Sequence, residues 1–195
     1  MSETLTADEK LSLLRLARQS LENAVRGKDL PELDERWMTP LLRADGASFV
    51  TLTIHGQLRG CIGALQPYQS LAADVREHAV AAAVQDYRFP PVTVGELTRI
   101  HIEVSRLTVP GPLSYVDADD LVTRLRPGVD GVILRDGSRR ATFLPQVWEK
   151  IPDAAGFLNQ LCAKMGAAPN LWRHKHLDVQ IYQVEEFDET HKQAA

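Results

Sequence analysis

The first clear pattern in the chain is a helical repeat of apolar residues near its start. Between positions 11 and 25 an apolar residue recurs every third or fourth position, which places these side chains on one helix face. The positions are Leu11, Leu14, Ala17, Leu21 and Val25. Thr6 and Glu9 have the spacing of a capping box and Gly27 is a suitable stop, so the pattern predicts a helix over about Ala7–Arg26.

Four further stretches have helical character. Ser70 is a suitable N-cap for the alanine-rich stretch 71–86, which ends before two prolines and suits close packing on another element. The other three stretches are 117–125, 144–151 and 153–166. A connector rich in charge and bearing proline, residues 28–40, follows the first helix.

Alternation of apolar and polar residues marks the strands. It is clear from Val50 to Ile54 and over residues 96–107, and residues 128–145 have the pattern of a second hairpin. Residues 177–187 are predicted as a final strand, and the tail after it as loose. Because hairpins dominate and no β-α-β rhythm is present, we predict an α+β fold with an antiparallel or mixed sheet and flanking helices.

The first hairpin spans residues 47–65, and its turn can be placed in two ways. If Ile54 and Leu58 both face the core, the loop has three residues. The cross-strand pairs are then Thr51 with Cys61 and Thr53 with Arg59. A two-residue turn centred on Gly56 is the alternative, and it breaks this matching.

The strand LRGCIG, residues 58–63, places a permanent cation and a thiol two positions apart. Side chains two apart on a strand share a face at about 7 Å, so Arg59 would favour the thiolate of Cys61. Gly60 and Gly63 remove side chains beside the thiol, as where a ligand or another backbone approaches closely. We therefore predict a cationic, partly open cysteine site; the alternative is a buried cysteine that acts as a small hydrophobe, with Arg59 reaching out to an acidic partner.

Further polar residues are candidates for this site. Arg88, in a loop after the alanine-rich helix, would clamp a carboxylate or phosphate together with Arg59. The alternative is a buried pair of Asp86 and Arg88 that joins two elements. The candidate binding residues are Gly60, Gly63, Thr51, Thr53, His55, Asp86 and Arg88.

The remaining titratable residues are weaker candidates. His101 and Glu103 share a strand face, either as a general acid/base pair or as part of a solvent-exposed face. His174 and His176 lack a third ligand, and Cys162 lies in an amphipathic helix as a core residue. We therefore predict no metal site.

Composition restricts the class of protein. The chain has 195 residues, 44% of them hydrophobic and 25% charged, as in a globular protein of one domain or one domain with a subdomain. It shows neither a membrane span nor a signal peptide, so we expect a cytoplasmic protein with free thiols and no cofactor. A net charge of −4 and a pI of about 5.9 weigh against nucleic-acid binding.

Several blocks, in order, resemble the AMMECR family, known in microbes also as AmmeMemoRadiSam system protein A. LRGCIG at residues 58–63 looks like the signature hexapeptide of that family. The other blocks are FVTL (49–52), DYRFPPV (86–92), ELTRIHIEVSRL (96–107), GVDGVIL (128–134), ATFLPQVW (141–148) and FLNQLCAKMG (157–166). The resemblance covers about residues 6–187 and implies one AMMECR-like domain, ordered over that range, within residues 1–195.

This resemblance implies a larger and a smaller subdomain with a cleft between them, but no established biochemical activity. The system name implies two companions, a Memo-like protein related to ring-cleaving dioxygenases and a radical S-adenosylmethionine protein. The chain lacks a cysteine triad for an iron–sulfur cluster, so we do not expect it to be the radical enzyme.

Two functions fit these observations. The first is an enzyme, or an enzyme subunit, that handles a small anionic substrate with Cys61 as nucleophile or covalent tether and Arg59 beside it. The second is a non-catalytic binding or scaffold protein that works with the two companions.

Overall fold

The computed structural model describes residues 4–34 and 36–189, and it divides into two compact units. The first unit comprises the chain up to Leu107 and again from Glu185, and the second comprises Thr108–Val184. Both contain helices and antiparallel strands, which confirms the predicted α+β class.

The elements follow the chain in a simple order. The helices are α1 (Ala7–Val25), α2 (Pro40–Arg43), α3 (Leu71–Val84), α4 (Ala118–Arg124), α5 (Ala154–Lys164) and α6 (Leu171–His174). The strands are β1 (Asp45–Ile54), β2 (Gln57–Gly63), β3 (Gln69–Ser70), β4 (Ile100–Leu107), β5 (Gly111–Pro112), β6 (Gly131–Asp136), β7 (Arg139–Phe143), β8 (Asp178–Tyr182) and β9 (Val184–Asp188). Short 3₁₀ helices span Val94–Glu96 and Pro145–Glu149.

The first unit is a sheet covered on one face by α1 and α3. Its strand order is β2-β1-β4-β9, and β3 pairs with β1. The apolar side chains of α1 and α3 form one core with Val50, Leu52, Ile102 and Val104 of the central strands. The capping box of Thr6 and Glu9 starts α1. Polar residues that alternate with the core positions of β1 and β4 lie on the opposite sheet face.

The second unit is a four-stranded sheet of order β5-β8-β6-β7. The buried residues of α4 and α5 form its core with Trp172 and with apolar positions of β6 and β8. Trp148 stacks on Phe157 at 3.7 Å between ring centroids, which fixes the 3₁₀ helix against α5.

Two predicted elements differ from the structure. The single final strand is wrong, because the chain breaks at Gln183 and continues as β8 in one sheet and β9 in the other. The helix predicted over 144–151 is only the 3₁₀ helix Pro145–Glu149. Most of the tail predicted as loose lies outside the described residues, although Glu189 is bound through its backbone to Ile102.

Candidate functional site

The turn between β1 and β2 has two residues, His55 and Gly56, as in the second predicted alternative. Both have positive φ angles, 52° and 75°, as in a type I′ turn, whose twist matches that of the flanking strands. The predicted core position of Leu58 is wrong, since 45% of this residue is exposed. The tight turn is the reason, because it removes the third loop residue on which that prediction depended.

A β-bulge restores part of the predicted register. Thr51 pairs with Cys61, as predicted, but Thr53 pairs with Leu58 and not with Arg59. The register shifts between these two pairs, so Arg59 is the extra residue on β2. The bulge compensates for the missing loop residue before the strand reaches Cys61.

Cys61 is half-buried on the sheet face that is turned away from α3. The hydroxyl of Thr51 donates a hydrogen bond to its sulfur, with Oγ1 and Sγ 3.4 Å apart. Thr51 alternates with Val50 and Leu52, which are fully buried beneath the helices, so the hydroxyl and the thiol occupy the opposite face. The thiol therefore lies outside the helix-covered core.

Gly60 and Gly63, beside the thiol, lie where other atoms of the protein leave no room for a side chain. A Cβ atom on Gly60 would lie 2.2 Å from the carbonyl oxygen of Ala82 in α3. A Cβ on Gly63 would lie 2.4 Å from the ring of Phe49. The predicted role of these glycines in opening space for a ligand is therefore wrong, because protein atoms fill that space. Gly60 allows α3 to pack directly on β2.

The guanidinium of Arg59 is directed at Glu96, and not held free beside the thiol. Its Nε lies 2.7 Å from Oε1 and its Nη2 lies 3.2 Å from Oε2 of that carboxylate. Its Nη1 is buried without a hydrogen-bond partner among the described residues. Glu96 balances the charge of Arg59, so this geometry does not support a thiolate stabilised by Arg59.

Glu96 is a site residue that was not predicted from the sequence. The hydrogen bonds from Arg59, followed by those from Thr93, lower the pKa of Glu96 to about 2. A signal was present, because Thr93 and Glu96 have capping-box spacing and the structure contains that box. The box fixes the carboxylate of Glu96 on the short 3₁₀ helix, where it accepts the hydrogen bonds from Arg59.

Asp86 and Arg88 form the predicted structural pair and clamp the outer strand of the sheet. Asp86 Oδ2 accepts a hydrogen bond from the Cys61 amide at 2.9 Å, and Arg88 Nη2 donates one to the Cys61 carbonyl at 3.1 Å. Arg88 also donates to both oxygens of Asp86, which holds the pKa of that buried carboxyl far below its usual range. The predicted anion clamp of Arg59 and Arg88 is wrong, because carboxylates of the chain occupy both guanidiniums.

A carboxyl group lies in the same row as the thiol. Thr51 pairs with Cys61 on one side and with Glu103 of β4 on the other, so the three side chains share one face. Burial raises the pKa of Glu103, and the nearby charges of Glu186 and Asp188 act in the same direction. We call Cys61, Thr51 and Glu103 the thiol row.

A second row lies next to it, towards the turn. Thr53 pairs with His101, and the Nε2 of His101 lies 2.9 Å from a carboxylate oxygen of Asp188. Thr53, His101 and the turn residue His55 line a common pocket. The structure therefore brings the predicted residues together in two groups, one at the thiol and one at the turn.

The described residues contain no cluster of three His, Cys, Asp or Glu side chains that could hold a metal ion. His174 contacts Asn170, and His176 stacks on Tyr115 at 4.1 Å between ring centroids. Cys162 is fully buried in the core of the second unit, as predicted. Within residues 4–34 and 36–189, every helix is too short or too polar to span a lipid bilayer.

Comparison with protein-family models shows to which family the chain belongs. The AMMECR1 family model matches residues 14–187, which cover most of this chain, including most of the first unit and all of the second. The chain belongs to the AMMECR1 family.

Similar proteins of this family are found in archaea. A protein of Thermofilum pendens is 36% identical over 201 residues, which cover 95% of this chain and 92% of the relative. A protein of Methanothermobacter thermautotrophicus is 38% identical over 191 residues, covering 95% and 96%.

A similar protein is known from a crystal structure. The uncharacterized protein PH0010 from Pyrococcus horikoshii superposes with a TM-score of 0.74 at 30% identity, covering 94% of this chain and 93% of that one. None of these three names states an activity.

Proposed function

We propose that this AMMECR1-family protein handles a small molecule on the face of its first sheet that α1 and α3 leave uncovered, with Cys61 as the reactive group. The observation that carries the proposal is the thiol row. Three neighbouring strands place a thiol, a hydroxyl and a carboxyl side by side, and each of the three residues is half-buried. Neighbouring strands are about 4.8 Å apart, so a small ligand over Thr51 would contact both Cys61 and Glu103.

Each member of the row has a distinct role in this proposal. The S–H bond of Cys61 breaks as its sulfur bonds to an electrophilic carbon of the ligand, and the electron pair of the bond broken at that carbon leaves with a displaced anion or moves to the atom doubly bonded to it. The Thr51 hydroxyl orients the sulfur. A carboxylate with a raised pKa is a better base near neutral pH than an exposed one, so Glu103 accepts the proton that the reaction releases. In the cytoplasm, where we place the protein, the thiol stays reduced.

Rescue of cells that lack the natural gene tests this function. We expect Cys61→Ala to fold, with an unchanged circular dichroism spectrum and melting profile, and to fail to restore function. We expect Glu103→Gln to be impaired and Glu77→Gln, an exposed glutamate on α3, to restore function fully. A folded Cys61→Ala protein that restores function would end the proposal.

A second candidate is a non-catalytic binding protein for the Memo-like and radical S-adenosylmethionine companions. The observation in its favour is that Arg59 and Arg88 form ion pairs with carboxylates of the chain. These ion pairs, with Glu96 and Asp86, hold the side chains around β2 in fixed positions. Size-exclusion chromatography of the purified proteins distinguishes the candidates. Loss of association in Arg59→Ala, together with association retained in Cys61→Ala, would favour the binding protein.

A further inference from the structure

A pocket of ≈ 460 Å³ lies at the turn end of the same sheet. It is lined by Thr53, His55, Gly56, Thr98, Arg99 and His101. The five side chains are two hydroxyls, two imidazoles and a guanidinium, all of which can donate hydrogen bonds, and no carboxylate is among them. This combination suits an oxyanion, because donors around a fixed cation satisfy several oxygen lone pairs.

Arg99 supplies the permanent positive charge of this pocket. Its guanidinium is exposed and makes no side-chain hydrogen bond or ion pair within the described part of the chain, whereas carboxylates engage Arg59 and Arg88. Among the lining residues, His101 contacts a carboxylate, that of Asp188, at 2.9 Å. The Arg99 guanidinium is therefore available to bind an anion in place of water.

The pocket is close enough to the thiol of Cys61 for one small molecule to reach both. The pair of Thr53 and His101 is two residues along the strands from the pair of Thr51 and Glu103, which corresponds to about 7 Å. Cys61 lies one further strand to the side, about 4.8 Å from Thr51 in the plane of the sheet. A ligand with its anionic group in the pocket and its reactive carbon at the sulfur would span about 8–10 Å.

We propose that this pocket binds the anionic group, a carboxylate or a phosphate, of the molecule that the thiol row handles. The inference rests on the proposed function and gives it a substrate class: a small organic anion with an electrophilic carbon about 8–10 Å from its charge. Arg99 binds the anion, and Thr53, Thr98 and His55 add hydrogen bonds around it.

Two alkylating probes of equal length test the proposal. 6-(Bromoacetamido)hexanoate carries a carboxylate, and 6-(bromoacetamido)hexanamide is its uncharged match; in each, the sulfur of Cys61 displaces bromide. We expect the carboxylate probe to modify Cys61 about tenfold faster, because its charge holds the bromoacetyl group near the thiol. Competition by inorganic phosphate and, separately, by hexanoate shows which oxyanion the pocket accepts, and slowing by either supports the pocket.

The variants separate the pocket from general charge effects. Arg99→Gln should remove the tenfold preference, and Arg26→Gln, which removes an exposed arginine at the end of α1, should leave it unchanged. His55→Asn should reduce the preference without loss of the turn, because Asn-Gly is a favoured type I′ sequence. Equal rates of the two probes with the natural protein, or an unchanged preference in Arg99→Gln, overturn the inference.

Calorimetry with phosphate tests the pocket apart from the thiol. If neither probe reacts with Cys61, the proposed function fails, and phosphate binding to Cys61→Ala then decides on the pocket. If phosphate binds to Cys61→Ala and no longer binds when Arg99→Gln is added to that variant, the pocket is an anion site that does not depend on the thiol. No binding, or binding that Arg99→Gln leaves intact, overturns the pocket.

Discussion

Arg59 and Glu96 form a two-point ion pair between the bulged end of β2 and the 3₁₀ helix before β4. Only 13% and 18% of the two side chains are exposed, so water competes weakly for these hydrogen bonds. The pair connects segments that are 37 residues apart in sequence. Its first role is therefore to hold the edge of the sheet in place.

Replacement of Glu96 by Gln should lower the stability of the protein in a pH-dependent way. The pKa of Glu96 is about 2 in the folded protein, against an ordinary value of 4.5. Because the folded value is the lower one, the stabilisation is complete above pH 4.5 and is lost as the pH falls towards 2. We expect Glu96→Gln to reduce the free energy of unfolding by about 1–3 kcal/mol at pH 7. Urea titrations at several pH values measure this, and a difference that stayed constant down to pH 2 would contradict the ion pair.

Replacement of Gly60 by Ala should destabilise the first unit strongly. The new Cβ would lie 2.2 Å from the Ala82 carbonyl oxygen, so α3 and β2 would have to move apart. We expect a loss of about 3 kcal/mol in the free energy of unfolding. The matched control is Gly95→Ala, where a Cβ meets no atom within 4 Å, and denaturant titration should show little change. Equal effects of the two substitutions would show that the packing of α3 on Gly60 is not tight.

The Asp86 clamp should control the exchange of the Cys61 amide hydrogen. Asp86→Ala removes the acceptor of that amide and the partner of Arg88, and we expect a cost of about 2–3 kcal/mol. Hydrogen exchange at the Cys61 amide should become faster than at neighbouring amides of β2 that bond to β1. Asp34→Ala is the control, since Asp34 forms the same pair with Arg36 on the exposed surface. Unaltered protection of the Cys61 amide in Asp86→Ala would argue against the clamp.

The two cysteines should react differently with iodoacetamide. Cys162 is fully buried, and burial raises the pKa of its thiol, so both access and ionisation are reduced. Cys61 is half-buried outside the helix-covered core. Intact-mass spectrometry of the folded protein should show one modification, which peptide mapping assigns to Cys61, and two modifications after unfolding in urea. A first modification at Cys162 would mean that the thiol row is inaccessible.

The sequence predicted most of the local structure in the first unit. The repeat in α1, the cap at Ser70 and the alternation in β1 and β4 are local patterns, and each gave the correct element. The pattern failed where the same alternation continues through a change of sheet, as between Tyr182 and Val184. Nothing in a local pattern shows which sheet a strand joins.

The site was harder to predict than the fold because its contacts are tertiary. The position of Arg59 could not be read from alternation, since a bulge at this residue shifts the strand by one. The turn was ambiguous because His55 adopts a positive φ angle that Asn or Gly would have signalled. The glycines were correctly seen as points of close approach, but only the fold shows that Ala82 and Phe49 are what approaches.

The outer position of β9 has a consequence for synthesis of the chain. β9 follows the whole second unit in sequence, yet it pairs with β4 of the first. A nascent chain that has emerged as far as Tyr182 holds nearly all of the second unit, but its Arg106 still lacks the carboxylate of Glu185. The unit that leaves the ribosome first is therefore the last to be completed.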